Sequence, residues 1–155
     1  MFEKALIDIY LKVKLNFYRN IFSRFEAREA SLTAVETFCV EVIHALGEPT
    51  ISQFSEFVMI SQANATYKVQ SLIKKGYVQK IQSESDRREF RLAVTEKFEH
   101  YNIISQRYLI EVSKRIHNRF PKEKLEVFEE IMNAINDELM PEIDLSRYGS
   151  GKKRN

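Results

Sequence analysis

Polar side chains recur from Ser61 through the first turns of a predicted helix. Glutamine and asparagine can pair with the hydrogen-bonding edge of adenine, and lysine can donate to guanine. Serine and threonine hydroxyls suit phosphate oxygens. The candidate set is Ser61, Gln62, Asn64, Thr66, Tyr67 and Lys68. These types favour contact with a nucleic acid, although the same face on an isolated helix is equally compatible with simple solvation.

A second candidate set lies in the charged loop between two alternating stretches, residues 77–82 and 89–94. Asp86 precedes Arg88 by two residues, so we expect its carboxylate to orient the guanidinium. An arginine held in this way fits a narrow, electronegative minor groove. The set comprises Lys80, Asp86, Arg87 and Arg88. A charged hairpin tip is usually only a solvated turn, but its position directly after a helix-turn-helix favours DNA binding.

Apolar spacing and capping residues predict the helices and strands on which these residues lie. The first predicted helix runs from Phe2 to Phe25, and the second runs from a Thr33/Glu36 capping box to Leu46 and is ended by Gly47. Two shorter helices follow, at 50–57 and at Ser61–Lys75. After them come a hairpin of strands 77–82 and 89–94 and two long helices, one after Thr95 and one after Pro121. The two adjacent short helices form a helix-turn-helix. In the second of them Ala65, Val69, Leu72 and Ile73 are predicted to face the core.

The composition fits a folded, mainly helical protein, because 44% of the 155 residues are hydrophobic and only 4 are Gly and 3 are Pro. Between Ser61 and Arg91 seven basic residues stand against three acidic ones, although the whole chain carries only +2. Such a local excess suits a polyanion. No apolar run reaches the roughly 20 residues of a membrane span. The acidic N-terminus lacks the pattern of a signal peptide, so we expect a cytoplasmic protein.

Apolar stripes on the terminal helices exceed what a small winged helix could bury alone. We therefore assign residues 1–30 and 96–145 to a helical dimerisation region, residues 31–95 to a winged helix-turn-helix DNA-binding domain, and residues 146–155 to a flexible basic tail. Pairing of the stripes across a two-fold axis would make a homodimer. A coiled-coil partner of another kind is the open alternative.

The other reactive residue types give no candidate site. His44, His100 and His117 fall on three different predicted helices without the spacing of metal ligands, so we expect no metal and no cofactor. Cys39 stands among apolar residues with no cation beside it, which favours a buried core thiol over a redox sensor. The sequence contains no Gly-rich phosphate loop and no nucleophile elbow, and we expect no enzymatic activity.

The string SQANATYKVQSLIKKGYVQKIQSESDRREFRLAVTEK, together with the order of elements, resembles the MarR family of bacterial transcriptional regulators. The positions that match the family motif are Ser61, Thr66, Leu72, Gly76, Asp86, Arg88, Val94 and Thr95. Val94 stands where the family usually has Leu, and Phe98 where it usually has Gly. The resemblance implies an intertwined homodimer that binds double-stranded DNA at a palindromic operator, and we expect a repressor.

The resemblance further implies that a small aromatic or lipophilic ligand releases the DNA. Relatives hold such ligands between the dimerisation helices and the winged helix, and the candidate residues for an effector pocket here are Phe17, Tyr18, Phe38, Tyr101 and Tyr108. An aromatic stripe is nevertheless more often core than pocket. The alternative function is a winged-helix module that binds another protein without sequence-specific DNA binding. Its affinity would depend far less on salt than that of a DNA-binding protein.

Overall fold

A computed structural model describes residues 1–26, 32–83 and 86–149, apart from the side chains of residues 24–26, 104 and 105. Its elements in chain order are α1 (Phe2–Glu26), α2 (Ala34–Leu46), α3 (Ile51–Phe57), α4 (Gln62–Lys74), β1 (Val78–Gln82), β2 (Phe90–Val94), α5 (Glu96–Arg119), α6 (Lys122–Asp137) and a 3-10 helix at Leu145–Arg147. The predicted class is confirmed: the protein is mainly α, with a winged helix-turn-helix between long N- and C-terminal helices.

Reciprocal side-chain caps fix where α2 and α3 begin. The Thr33 hydroxyl accepts the Glu36 amide (3.2 Å), and the Glu36 carboxylate accepts the Thr33 amide (2.7 Å). Thr50 and Gln53 repeat this arrangement at the start of α3. The first capping box confirms the sequence prediction, and the second was not predicted. Each box satisfies two backbone donors that a helix otherwise leaves open.

The wing is an antiparallel pair in which Val78 of β1 lies opposite Val94 of β2. Both strands begin one residue later than predicted. For β1 the reason is that the Tyr77 amide donates to the Leu72 carbonyl (3.0 Å) and so completes the end of α4. The Leu92 amide donates to the Pro49 carbonyl (2.8 Å), which ties the wing to the segment between α2 and α3.

Two residues of the family motif meet where the wing joins the helices. The Thr95 hydroxyl donates to the Gly76 carbonyl (2.6 Å). Gly76 has φ +79°, a left-handed conformation that a side chain disfavours, and it allows the chain to leave α4 for β1. This bond therefore closes the wing at its base.

The described residues form two compact units. The winged-helix unit contains residues 21–102 and the C-terminal segment from Leu145, and the helical unit contains residues 1–20 and 103–144. The core of the winged-helix unit comprises Leu32, Cys39, Val40, Ile43, Phe54, Ala65, Val69, Leu72, Tyr77, Val78, Leu92 and Phe98. Phe98, at the position where the family has Gly, is fully buried, and its ring packs against Tyr101 (5.8 Å between centroids) and His44 (5.3 Å).

The helical unit leaves many apolar side chains exposed. On α1 Phe2 is 73% exposed and Ile9 is 61% exposed, and no residue of α6 is buried. The assignment of these helices to dimerisation stays a prediction. Across the described residues, no helix is both long and apolar enough to cross a membrane.

The segment that we predicted as a flexible tail begins at residue 146. Leu145–Arg147 forms a 3-10 helix, and the Tyr148 ring packs edge-on against Phe57 of α3 at 5.4 Å between centroids. Tyr148 thus contacts an aromatic residue of the winged-helix unit, and the flexibility of residues 146–155 stays a prediction. The basic residues of the tail, Lys152, Lys153 and Arg154, lie outside the described residues.

Candidate nucleic-acid interface

α4 divides into a buried face and an exposed face, as its apolar spacing predicts. Ala65, Val69 and Leu72 are fully buried in the core. The N-cap residue Ser61 is exposed, and its hydroxyl accepts the amide of Asn64 (3.2 Å). Gln62 and Asn64 are exposed too. The first turn of α4 thus presents polar side chains at a helix N-terminus, the end that a recognition helix directs to base edges.

Two further residues of the candidate set are less available than the sequence suggested. The Thr66 hydroxyl donates to the Gln62 carbonyl (2.8 Å) within its own helix. Lys68 is half-buried, so it does not share the fully exposed face with Asn64. It follows Ala65 by three residues, which places it at the flank of the buried stripe.

Most of the central line of the exposed face lies outside the residues predicted from the sequence. This line runs through Ala63, Tyr67, Gln70 and Lys74, which are all exposed, and the Tyr67 side chain most strongly at 74%. Only Tyr67 was in the candidate set. The spacing of four, three and four residues marks one side of a helix and was available from the sequence.

Glu36 anchors the C-terminal end of α4 to the first turn of α2. Its carboxylate accepts the Lys75 ammonium (2.7 Å) and the Ser71 hydroxyl (2.5 Å), besides the amide of Thr33. Burial by itself raises the pKa of the Glu36 carboxyl, but the hydrogen bonds from Lys75, Ser71 and Thr33 outweigh it and lower the pKa from 4.5 to about 2. The charged carboxylate therefore holds the recognition helix in place.

The wing turn is built around Asp86. Its carboxylate accepts the backbone amide of Arg88 (2.9 Å), and its own carbonyl accepts the amide of Glu89 (3.0 Å). A carboxylate two residues before an amide forms an Asx-turn, so the observed contact of Asp86 is with the backbone of Arg88. That the Asp86 carboxylate orients the Arg88 guanidinium stays a prediction.

The cationic side chains of the wing divide into exposed and structural ones. Lys80, Arg87 and Arg88 are exposed. Arg91 is only 17% exposed in its side chain and lies 3.3 Å from the Glu89 carboxylate, and it donates to the Glu48 carbonyl (3.2 Å). Arg91 thus joins the wing to the chain after α2. Residues 84 and 85 of the predicted loop lie outside the described residues.

The remaining sequence candidates fall in different parts of the fold. Cys39 is buried in the core, as predicted, and burial raises the pKa of its thiol more than the charge of Lys68 lowers it.

Tyr101 packs against the same core, and Phe38 is 45% exposed. Phe17, Tyr18 and Tyr108 belong to the helical unit, so the effector pocket stays a prediction. Among the described residues, no three of His, Cys, Asp or Glu are grouped so as to hold a metal.

Comparison with known proteins agrees with this architecture. Residues 32–90 match the sequence model of the MarR family. Streptococcus pneumoniae FabT in complex with DNA has a similar fold, with 22% identity over 90% of this chain and 99% of that chain and a TM-score of 0.53. A transcriptional regulator from Thermotoga maritima has 21% identity over 89% of this chain and 96% of that chain, with a TM-score of 0.64. A MarR family protein from Bacillus stearothermophilus has 19% identity over 88% of this chain and 91% of that chain, with a TM-score of 0.63. No curated protein sequence matches the chain.

Proposed function

We propose that the chain is a DNA-binding transcriptional regulator that acts as a homodimeric repressor on a palindromic operator. Residues 32–90, which match the MarR family model, form its DNA-binding domain. The observation that supports DNA binding is that α4 and the neighbouring wing both expose polar or cationic side chains. α4 has no acidic residue and exposes polar side chains at its N-terminus, and the adjacent wing exposes Arg87 and Arg88. Two electropositive elements side by side suit adjacent grooves of a duplex.

The homodimer in this proposal is supported by exposed apolar side chains of α1, of α6 and of the residues directly after α6. A monomer that exposes Phe2, Ile9, Phe128, Ile131 and Leu139 presents more apolar surface than an isolated protein usually does. A two-fold dimer buries such a surface against a second copy of itself. It also presents two recognition helices related by the same axis, and these require a palindromic site.

The proposal also includes release of the DNA by a small aromatic or lipophilic ligand. It rests on the family resemblance and on the aromatic residues Phe17, Tyr18, Phe38, Tyr101 and Tyr108. Binding of a fluorescent lipophilic probe, followed by titration of the probe into the DNA complex, tests it. If the probe binds and the DNA complex persists at saturation, this element is removed and the repressor proposal stands.

The deciding experiment selects duplexes from a random pool and measures affinity for the winner and for random duplex at several salt concentrations. We expect an inverted repeat, two chains per duplex by light scattering, and a steep fall in affinity as salt rises. Arg88→Ala should weaken binding to both duplexes, whereas Asn64→Ala should weaken binding mainly to the selected one, by roughly 1 to 3 kcal/mol. If no sequence is enriched and affinity hardly changes with salt, the chain is a protein-interaction module instead.

A further inference from the structure

The exposed central line of α4 is apolar in its N-terminal half, Ala63 and Tyr67, and polar in its C-terminal half, Gln70 and Lys74. Ala63 and Tyr67 are one helical turn apart on the same line, and both are exposed. Tyr67 leaves 74% of its surface in water. A partner that covers a large exposed ring removes its apolar area from water. Tyrosine suits an interface because it contributes both this apolar area and a polar end.

The charges around this line indicate which partner covers it. α4 has no acidic residue, and Lys74 lies on the same line as Tyr67 two turns further on. A polyanion is therefore favoured over an acidic or neutral protein surface. The apolar group that a base pair presents in the major groove of a duplex is the C5 methyl of thymine, and alanine and aromatic side chains are the types that contact it.

The polar residues beside the line indicate the same kind of base pair. Asn64 and Gln70 are exposed, and asparagine and glutamine pair with N6 and N7 of adenine. Guanine is most often contacted by arginine, and α4 contains none. Of its two lysines, Lys68 is half-buried and Lys74 is the last residue of the helix, far from the N-terminal end that enters the groove.

We propose that Ala63 and Tyr67 contact thymine methyl groups, so that the centre of each operator half-site consists of A·T pairs whose thymines are recognised by their methyl groups. This inference rests on the proposed function and names the base-pair class that the site recognises. The neighbouring Asn64 and Gln70 recognise the adenines of the same A·T pairs.

The test replaces single thymines of the selected operator by deoxyuridine, which deletes the C5 methyl and leaves the base pair intact. At one or two positions per half-site we expect affinity to fall about fourfold, the effect of one buried CH2-sized group. Replacement outside the half-sites is the matched control and should leave affinity unchanged. An operator that lacks thymine at these central positions, or equal affinity for every deoxyuridine duplex, overturns the inference and leaves the proposed function intact.

Variants assign the methyl contact to its residue. At the position that the Tyr67 ring contacts, Tyr67→Ala should bind thymine and deoxyuridine operators equally, whereas Tyr67→Phe should keep the fourfold difference because the ring alone makes the contact. At a position that Ala63 contacts, both variants should keep the deoxyuridine penalty. The comparison is made at low salt, where phosphate contacts keep the weaker variants measurable. An unchanged deoxyuridine penalty at every position in Tyr67→Ala excludes the ring from the methyl contacts and overturns the proposal. Loss of all sequence preference in the unmodified protein would instead remove the proposed function itself.

Discussion

The Lys75 ammonium nitrogen lies 2.7 Å from Oε2 of Glu36, whereas the side chain of the preceding residue, Lys74, is exposed. Two consecutive lysines at the end of the recognition helix therefore have different tasks. Lys75 is engaged in a partly buried ion pair that fixes α4 against α2. Lys74 lies on the exposed line of α4, where it is available to a phosphate.

Replacing the two lysines one at a time should separate these tasks. Lys74→Gln should reduce the slope of log affinity against log salt by about 0.9, the effect of one lost phosphate contact, and leave the melting temperature unchanged. Lys75→Gln should keep the salt slope and lower the free energy of unfolding by roughly 1.5 to 3 kcal/mol, because a hydrogen bond to a charged carboxylate is lost. Salt titrations and thermal melts of both variants decide. Equal losses of slope would show that Lys75 also contacts DNA.

Acid should weaken the fold through Glu36. Its carboxyl titrates near 4.5 when unfolded and near 2 when folded, so the folded protein binds fewer protons between these values. The stabilisation is complete above about pH 5, amounts to on the order of 3 kcal/mol, and disappears as the pH falls towards 2. Glu36→Gln should be less stable at pH 7 and should lose less stability on acidification. Urea unfolding at pH 7 and pH 3 measures both, with Glu129→Gln on the exposed surface of α6 as the control for the change of charge.

These contacts show which features the sequence could predict. The Thr33–Glu36 cap depends on two residues three positions apart, so its spacing alone reveals it. The Glu36–Lys75 pair joins residues 39 positions apart and depends on how α2 packs on α4. The exposed line through Tyr67 follows from the buried positions of α4, which were predicted correctly. For Asp86 the spacing allowed two partners, and the observed one is the backbone amide of Arg88.

The wing turn offers a test that distinguishes its two interpretations. Asp86→Asn keeps an oxygen that can accept the Arg88 amide, whereas Asp86→Ala removes it. If Asp86 acts by stabilising the turn, Asp86→Asn should bind DNA nearly as well as the native protein. Asp86→Ala should weaken binding to all duplexes, because the wing turn loses the hydrogen bond from the Arg88 amide. Affinities on selected and random duplex measure this. Equal weakening by both substitutions would indicate that the charge of Asp86 orients the Arg88 guanidinium.

Dimerisation should fail when a charge is placed on the exposed apolar surface directly after α6. Leu139 is 68% exposed in the single chain. Leu139→Asp should shift the protein to monomers, because an unpaired carboxylate would be buried at the two-fold contact. Asn133→Asp adds the same charge at an exposed polar position of α6 and serves as the control. Light scattering across micromolar concentrations gives the mass, and dimers of unchanged stability in Leu139→Asp would exclude this surface from the interface.

Oxidants should leave DNA binding unchanged. Cys39 is 7% exposed in the core of the winged-helix unit, and burial raises the pKa of its thiol. Because the thiolate is the nucleophile that attacks peroxide, a thiol that stays protonated and screened from solvent reacts slowly. Mild peroxide treatment of the native protein should therefore give no sulfenic acid at Cys39 by mass spectrometry. Operator affinity should stay unchanged on treatment, in the native protein and in Cys39→Ser alike. A peroxide-induced loss of binding that Cys39→Ser abolishes would show that the core opens often enough to expose the thiol, and would make Cys39 a sensor.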